Sequence, residues 1–337
     1  MLGLVGAIEW GGRAVAFGRM RLSAFVGLVA CLGCLLCLAG SARASADPAD
    51  MLTYMPTELV HSLYTQEQVE GFYGELGEYG IGQALVQMPR FKKKGNLKLP
   101  ESNEQMLGVW ARAAVSYDAA HEAGAGVTAV FNAVPKERGL SLEVASTRAQ
   151  MVQEVLAVLA LGVQGVQLDV EPYPTGPGYI ALLEELDEAF AQVGFTGRLS
   201  VVAPADTSRW SPSYLRRVGE LVGQVDPTFY DSEYAAVGPY EQWIEEGLAY
   251  YTANVPASAA IVPVIPCYSP DPWHSPAVEN VPSATAALKV ALEEGSRVQG
   301  AGLWWWYAFY EGHYKRGDAA AEREAWLTQT LALPFSG

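Results

Sequence analysis

The stretch Gly165-Val166-Gln167-Leu168-Asp169-Val170-Glu171-Pro172 has the alternation of a buried β-strand that ends in two carboxylates. Because side chains alternate across a strand, Gln167, Asp169 and Glu171 share one face, while the apolar residues cover the other. Residues two apart on one face lie about 6–7 Å from each other, so each charge influences the other's proton. Pro172 favours an extended backbone at Glu171 and marks the end of the strand. We therefore predict a strand that delivers two acids to its carboxyl end, where α/β enzymes hold their chemistry.

Apolar, strand-like runs alternate with helix-like runs along the rest of the chain. The candidate strands are 52–55, 83–88, 126–132, 165–171, 199–203, 227–231, 260–267 and 300–306. The helical patterns between them are 66–80, 103–124, 145–162, 179–194, 212–224, 240–254, 281–294 and 319–333. Eight strands, each followed by a helix, predict an α/β fold of the (β/α)8 TIM-barrel type, with residues 51–337 as one domain. A doubly wound open sheet is the alternative, and the lack of a glycine-rich loop after the first strand disfavours it.

Residues 1–46 have the pattern of an export signal. Arg19 and Arg21 precede an apolar run at 22–38, and Ala44-Ser45-Ala46 supplies the small residues that a signal peptidase needs. We predict cleavage before Asp47 and a secreted, periplasmic or cell-surface protein. An uncleaved membrane anchor, for which a run of about 17 residues is barely long enough, and a lipid anchor at Cys31 are the alternatives.

Composition limits the partners. Half of the 337 residues are hydrophobic, enough for a large single core. Without residues 1–46 the chain has 18 basic and 36 acidic residues, a net charge of −18, which disfavours nucleic acid and anionic lipid as partners.

Only Cys267 lies outside the signal, so we expect no disulfide and no cysteine metal site. The histidines have no ligand spacing, and we expect neither a metal nor a cofactor.

Polar and aromatic side chains collect where the predicted strands end. In chain order they are Gln87, Arg90, Asn132, Asp169, Glu171, Asp206, Trp210, Tyr230, Asp231, Glu233, Tyr268, Asp271, Trp304 and Trp306. Sugars present apolar ring faces that stack on aromatic rings and hydroxyls that bond to carboxylates and amides. We therefore predict a cleft that binds a glycan or oligosaccharide. For each tryptophan, and for Tyr230, a place in the core is the alternative.

The segment 164–171 resembles the D-G-x-D-x-D-x-E strand of glycoside hydrolase family 18, the chitinase and endo-β-N-acetylglucosaminidase family, whose fold is a (β/α)8 barrel. Phe229-Tyr230-Asp231 resembles the Tyr-Asp at the end of that family's sixth strand. Residues 300–304 resemble its eighth strand, which ends in a tryptophan under the sugar. The resemblance spans residues 51–310, and only the fourth-strand motif in it is specific.

The resemblance implies a retaining, substrate-assisted glycosidase. In that family the counterpart of Glu171 protonates the leaving oxygen, and the counterpart of Asp169 orients the N-acetyl group that attacks in place of an enzyme nucleophile. The counterpart of Tyr230 holds the acetamido carbonyl, and that of Asp231 assists. The predicted substrate-binding residues are Gln167, Trp304, Trp306, Asn132 and Trp210.

The sequence also departs from the family pattern. Gln164 and Gln167 stand where the family has aspartates, Thr228 stands where a methionine is usual, and nothing at 131–133 matches the family's Ser-x-Gly-Gly. Losing the inner aspartate removes a like charge that raises a neighbour's pKa. We therefore expect Asp169 to stay ionised more of the time, and the substrate to differ from chitin.

Other functions stay open at this point. A retaining hydrolase with its own nucleophile needs a second acid about 5–5.5 Å from the first, and 261–269 contains none. An inverting enzyme could use Asp231, Glu233 or Asp206 as its base. A non-catalytic, lectin-like barrel, a hydrolase of a non-acetamido glycan, and a deacetylase or transglycosylase are further alternatives. Glu171 beside Asp169 favours the hydrolase, since a binding protein has no need of the acid.

Overall fold

The computed structural model describes residues 47–55, 62–135, 139–267, 275–304 and 319–336. The chain divides into Met1–Arg43 and Ala44–Gly337, and the fold below belongs to the second unit. The predicted signal at 1–46 and the predicted site residues Tyr268, Asp271 and Trp306 lie outside the described residues. The signal therefore stays a prediction.

A closed parallel sheet forms the centre of the fold. Its strands are β1 Leu52–Tyr54, β2 Gln83–Gln87, β3 Gly126–Ala133, β4 Gly165–Val170, β5 Arg198–Pro204, β6 Gln224–Thr228, β7 Ala260–Ile261, β8 Val264–Pro266 and β9 Gly302–Trp304. Strands β1 to β6 pair with their neighbours in chain order, β8 pairs with β9, and β9 returns to pair with β1. The short strands β7 and β8 both pair with β6 and together fill the seventh of eight barrel positions. The prediction of a (β/α)8 barrel is confirmed.

Helices follow the strands. They are α1 Gln66–Glu78, α2 Glu101–His121, α3 Ala145–Leu159, α4 Pro177–Val193, α5 Pro212–Leu221, α6 Val237–Asn254, α7 Val281–Glu293 and α8 Ala319–Ala325, the last continued by a π-helical turn at Trp326–Thr330. Gly80 and Gly124, the last residues of the predicted helical patterns 66–80 and 103–124, adopt the left-handed backbone, with φ of 65° and 62°. The second helix ends before Gly124, and its left-handed cap is Glu122, with φ of 51°. No described helix is both long enough and apolar enough to cross a bilayer.

The alternation predicted for β4 is confirmed. Val166, Leu168 and Val170 belong to the large core between the sheet and the helices. A second, smaller apolar cluster that includes Leu52, Tyr54, Leu85, Val130 and Val264 is separate from it, and the inward-facing Gln167 is fully buried. The barrel interior therefore combines an apolar cluster with buried polar groups, and its carboxyl end carries the predicted acids.

The predicted position of the sixth strand was wrong. It was placed at 227–231, but β6 begins three residues earlier, at Gln224, and ends at Thr228. Gln224 and Asp226 look like loop residues in the sequence, yet both are buried because they bond to each other and to neighbours in the barrel. Tyr230 and Asp231 consequently lie in the loop after β6 rather than in the strand.

Candidate functional site

The two predicted acids lie at the carboxyl end of β4. Asp169 is the last inward-facing residue of the strand and is mostly buried, and Glu171 follows as an exposed residue. The amide N–H of Glu171 still donates to the carbonyl of Ala133 at 2.9 Å, so the backbone at the acid is fixed by the neighbouring strand. Rigid backbone on a strand end is what precise placement of a catalytic group requires.

Asn132 holds Asp169. The two residues are register partners in β3 and β4, and Asn132 Nδ2 donates to Asp169 Oδ2 at 2.7 Å. Asp169 Oδ1 is buried and has no hydrogen-bond partner among the described residues. Asn132, predicted to bind the substrate, thus has a position from which it orients the carboxylate beside it.

The expectation that Asp169 stays ionised more of the time than it would beside an inner aspartate stays a prediction. Burial, and after it the charge of Glu171, raise the pKa of Asp169 to about 7, although Arg90 partly offsets them. Burial is the largest of these causes, ahead of the charge of Glu171. The pKa of the carboxyl group therefore lies close to neutral pH.

Glu171 also holds its proton more tightly than a free glutamate. The surrounding protein partly desolvates its carboxyl group and raises its pKa, although one side of the residue is open to solvent. The charge of Asp231 raises the pKa further, whereas Arg90 lowers it. A carboxyl group whose pKa is raised by its surroundings and which is still accessible suits general acid catalysis.

Three aromatic rings lie together beside the acids. Tyr230 stacks on Trp304 with ring centroids 5.5 Å apart, and Tyr54 meets the edge of Trp304 at 4.8 Å. Burial raises the pKa of the Tyr230 hydroxyl well above its usual value, and the charges of Asp169 and Glu171 add to the shift. Tyr230 therefore stays protonated, so that its hydroxyl can donate a hydrogen bond. The structure thus brings Tyr230 into electrostatic reach of both acids and into contact with Trp304.

A buried glutamate that the sequence did not reveal fixes the loop after β6. Glu279, only 2% exposed, accepts hydrogen bonds from the Asp231 amide at 2.8 Å, the Ser232 amide at 3.0 Å and the Ser232 hydroxyl at 2.6 Å. Asp231 and Glu233 have φ of 56° and 59°, a backbone region that L-residues rarely adopt. The Glu279 carboxylate stabilises this bent loop, and with it the position of Asp231.

A chain of polar side chains crosses the barrel interior. Arg198 donates to Gln224 Oε1, Gln224 Nε2 donates to Asp226 Oδ1 at 2.7 Å, and Gln167 Nε2 donates to Asp226 Oδ2 at 2.7 Å. The Tyr54 hydroxyl completes the chain by donating to Gln167 Oε1 at 2.8 Å. Gln167, predicted to bind the substrate, is 0% exposed and uses both ends of its amide inside the protein.

The charge of Asp226 is held in the interior by these contacts. Burial raises its pKa, the hydrogen bonds from Gln224 and Gln167 and the charge of Arg198 oppose the rise, and the resulting pKa is about 7. Arg198, Gln224 and Gln167 also border a cavity of about 460 Å³ at the strand starts, the opposite end from Glu171. Asp226 would have been recognisable from the sequence if the sixth strand had been placed at 224–228, where it faces inward.

Trp210 lies in the wall rather than in the cleft. It is 1% exposed, its Nε1 donates to the Pro174 carbonyl at 2.8 Å, and it packs beside Tyr173, Tyr179 and Tyr214. The buried ring has no face on which a sugar could stack. Its hydrogen bond instead anchors the loop after Glu171.

Tyr173 is a further residue near the acids that the sequence did not single out. Its hydroxyl and that of Thr228 are 2.9 Å apart, so it links the loop after β4 to the end of β6. Burial raises the pKa of Tyr173, and both Asp169 and Glu171 contribute to the shift. It therefore lies within electrostatic reach of the candidate catalytic pair.

Comparison with known proteins shows the fold. No family model and no curated protein sequence matches the chain. Among solved structures, the C-terminal domain of a putative chitinase from Desulfitobacterium hafniense DCB-2 superposes with a TM-score of 0.60 at 15% identity, covering 86% of this chain and all of that one. The Bacillus cereus spore cortex-lytic enzyme SleL gives 0.55 at 13% identity, with 85% and 74% covered. A family 18 N-acetylglucosaminidase from Paenibacillus barengoltzii gives 0.53 at 13%, with 82% and 99% covered.

The chain has a family 18-like barrel fold. The resemblance predicted from the fourth-strand motif is confirmed at that level. In this barrel Gln164, one of the departures from the motif, lies before β4 and faces away from the site. Its Oε1 accepts from the Val127 amide at 2.8 Å, and its Nε2 donates to the Gly162 carbonyl at 2.7 Å. This glutamine joins two strand starts, so its replacement of an aspartate is a structural change.

Proposed function

We propose that the protein is an exported glycosidase that cleaves an N-acetylhexosamine-containing glycan by a substrate-assisted, retaining mechanism, with Glu171 as the acid. The observation that carries the proposal is the accessible Glu171 carboxyl group, with its raised pKa, next to the buried Asp169. The fold supports it, because the solved structures with this barrel include enzymes described as chitinases and an N-acetylglucosaminidase.

In the proposed reaction Glu171 acts first as the acid and then as the base. Glu171 transfers its proton to the glycosidic oxygen as the bond from that oxygen to the anomeric carbon breaks. The carbonyl oxygen of the substrate's own acetamido group forms the new bond to the anomeric carbon. In the second step water attacks this carbon, the bond from the acetamido oxygen to the carbon breaks, and Glu171, now a carboxylate, takes a proton from the water.

Asp169 and Tyr230 supply the support for the acetamido group. Asp169 Oδ1 is the buried oxygen without a partner among the described residues, and an acetamido N–H would satisfy it. Tyr230 remains protonated and is able to donate to the acetamido carbonyl. Trp304, partly exposed and stacked on Tyr230, offers a flat apolar surface for the sugar ring.

The test is hydrolysis of aryl glycosides with and without a 2-acetamido group by the purified protein and by Glu171→Gln. We expect release from acetamido sugars only, with a loss of about a thousandfold or more in the variant, since the acid and the base of the reaction are one residue. Glu220→Gln, on the exposed face of α5, is the matched control and should keep full activity.

Three outcomes would each replace the proposal. Cleavage of sugars without an acetamido group, or inversion of the anomeric carbon, would indicate a base such as Asp231, Glu233 or Asp206. Glycan binding without any cleavage would indicate a lectin-like barrel. Release of acetate in place of the aryl group would indicate a deacetylase.

Export is the second part of the proposal and rests on the sequence of residues 1–46. We expect the mature chain to begin at Asp47. Mass spectrometry of the intact protein from the exported fraction measures this directly. A full-length chain that stays with the membrane fraction would favour the uncleaved anchor, and a lipidated Cys31 would favour the lipoprotein.

A further inference from the structure

The loop after β2 concentrates positive charge in an acidic protein. The chain has 37 acidic and 22 basic residues, yet four of its seven lysines lie within seven positions, at Lys92, Lys93, Lys94 and Lys98. We call residues 90–98, which also include Arg90, the lysine loop. Such a local reversal of the overall charge creates a positive field that reaches about 10 Å at ordinary salt concentrations.

The lysine loop is ordered by the core below it. Phe91 is buried and stacks on Phe131 at 5.8 Å, and its amide donates to the Asn132 carbonyl at 3.0 Å. A tight turn follows, in which the amide of Lys92 donates to the Asn96 carbonyl at 2.9 Å and that of Gly95 to the Lys92 carbonyl at 2.8 Å. The lysines therefore project from a fixed backbone.

The four charges are not neutralised by the protein. All four lysines are exposed, and none forms an ion pair within the part of the chain that the structure describes. By contrast, Lys289 on α7 has Glu293 at 3.9 Å. Exposed like charges at this spacing repel one another, so an anionic ligand placed among them gains by relieving that repulsion.

A pocket of about 730 Å³ lies between the lysine loop and the start of α3. Its polar lining consists of Lys93, Lys94, Asn96, Ser141, Ser146, Thr147 and Gln150. No carboxylate is among the described residues that line it, although the chain as a whole is rich in them. The lining thus offers cations, amides and hydroxyls, which together suit an acidic sugar.

The pocket lies on the catalytic side of the barrel. The lysine loop leaves the carboxyl end of β2, and the segment that includes Ser141 leaves the carboxyl end of β3, next to β4. Arg90, the first residue of the lysine loop, is close enough to lower the pKa values of both Asp169 and Glu171. A glycan bound at the acids can therefore continue along this loop into the pocket.

We propose that this pocket is a subsite for an anionic sugar unit, so that the preferred substrate is a glycan in which some sugars carry carboxylate or sulfate groups. The inference rests on the proposed function, because one glycan chain is taken to occupy both the cleft and the pocket. The ammonium groups act as hydrated point charges, so the contribution is electrostatic and decreases as salt is added.

The test compares N-acetylglucosamine hexasaccharides of equal length that are neutral, carboxylated at C6 or sulfated at C6. Calorimetry with the full-length Glu171→Gln protein gives the Kd of each without cleavage. We expect the carboxylated chain to bind about tenfold more tightly than the neutral one at low salt, as expected for two or more exposed charge contacts. An equal gain in affinity for the carboxylated and the sulfated chain would show that the pocket recognises negative charge alone. A larger gain for one of them would show which anionic group the pocket prefers.

The matched variants are Lys93→Glu/Lys94→Glu in the loop and Lys289→Glu on α7, each added to the same background. We expect the loop variant to lose the preference for the anionic chains and to keep its affinity for the neutral one, while the α7 variant keeps both. No preference in the parent protein, or a preference that survives the loop variant, overturns the subsite. If the preference is present but wild-type protein cleaves none of the chains, the subsite stands and the glycosidase proposal fails.

Discussion

Gln167 and Asp226 share a hydrogen bond of 2.7 Å in the interior of the barrel, with the amide as donor and the carboxylate as acceptor. Because Asp226 only accepts when ionised, it fixes which end of the amide faces it, and the other end is left to accept from the Tyr54 hydroxyl at 2.8 Å. Tyr54 in turn touches Trp304. A carboxylate on β6 thus sets the arrangement of a glutamine on β4 and an aromatic ring in the cleft.

Substituting Asp226→Asn should change how stability depends on pH. Burial raises the pKa of Asp226 to about 7, above the value in the unfolded chain, so the favourable contribution of the protonated form is present at low pH and is lost as pH rises through 7. Asn resembles the protonated acid. Asparagine offers only one acceptor oxygen to Gln167 and Gln224, which costs stability at every pH. We expect the free energy of unfolding of the variant, relative to wild type, to rise by on the order of 2–4 kcal/mol between pH 4 and pH 8.

Urea denaturation at several pH values measures this difference. Asp187→Asn, at an exposed position of α4, is the matched control and should show no such dependence. A constant difference between wild type and Asp226→Asn from pH 4 to pH 8 would show that Asp226 does not titrate in this range.

Arg90→Gln should shift the pH profile of hydrolysis. Arg90 lowers the pKa values of Asp169 and Glu171, so both rise when its charge is removed. An acid catalyst works while protonated, and its activity decreases as pH rises through its pKa. The alkaline limb of kcat/KM should therefore move to higher pH. Arg209→Gln, whose partner is the exposed Asp206, should leave the limb in place, and an unmoved limb in Arg90→Gln would speak against Glu171 as the acid.

Glu279→Gln should weaken both the fold and the activity. Three donors from Asp231 and Ser232 converge on the two oxygens of Glu279, and a glutamine has one acceptor oxygen to offer them. We expect a loss of about 1–3 kcal/mol in the free energy of unfolding and a lower kcat, because the loop that places Asp231 relaxes. The control is Glu293→Gln at the end of α7, the helix that follows Glu279, where the glutamate side chain is 64% exposed. A variant with unchanged kcat would limit Glu279 to a structural role.

Two tryptophans should give opposite results when replaced by phenylalanine. Trp304 is partly exposed next to Tyr230, so Trp304→Phe should raise KM about fivefold through the loss of stacking area on the sugar. Trp210 is buried and donates to Pro174, so Trp210→Phe should lower the free energy of unfolding by about 1–3 kcal/mol. Steady-state kinetics and denaturation of both variants measure this. An unchanged KM in Trp304→Phe would place the sugar elsewhere.

The fold was predictable because the apolar pattern is regular. The alternation in β4 and the repetition of strand and helix depend on burial on one or both faces, which a sequence displays directly. Glu171 and Asp169 were predictable for the same reason, since acids at the end of an apolar strand need an explanation. The buried polar residues of the barrel interior were harder to predict. Gln224 and Asp226 are buried only because each satisfies the other, and nothing local in the sequence reveals such a pairing.

The aromatic residues show a second limit of the sequence. Trp210 and Trp304 both follow a strand, yet one is in the wall and the other borders the cleft, because the loop after β4 folds over Trp210 and supplies its hydrogen-bond acceptor. Glu279 is 48 and 47 residues along the chain from Asp231 and Ser232, the loop residues that it holds. Contacts of this kind depend on the closed barrel, so they become visible only when the strands are arranged in space.

The reactivity of the buried Cys267 thiol reports how often the barrel opens locally. Cys267 follows β8, and its amide donates to the carbonyl of Trp304 at the end of β9, so that it lies at the seam between these last two strands. Burial raises the pKa of its thiol well above the usual value. A thiolate forms there only when water reaches the sulfur. The rate at which a thiol reagent modifies this residue therefore measures how often β8 and β9 separate. A ligand that binds at Trp304 and holds these strands together would lower that rate.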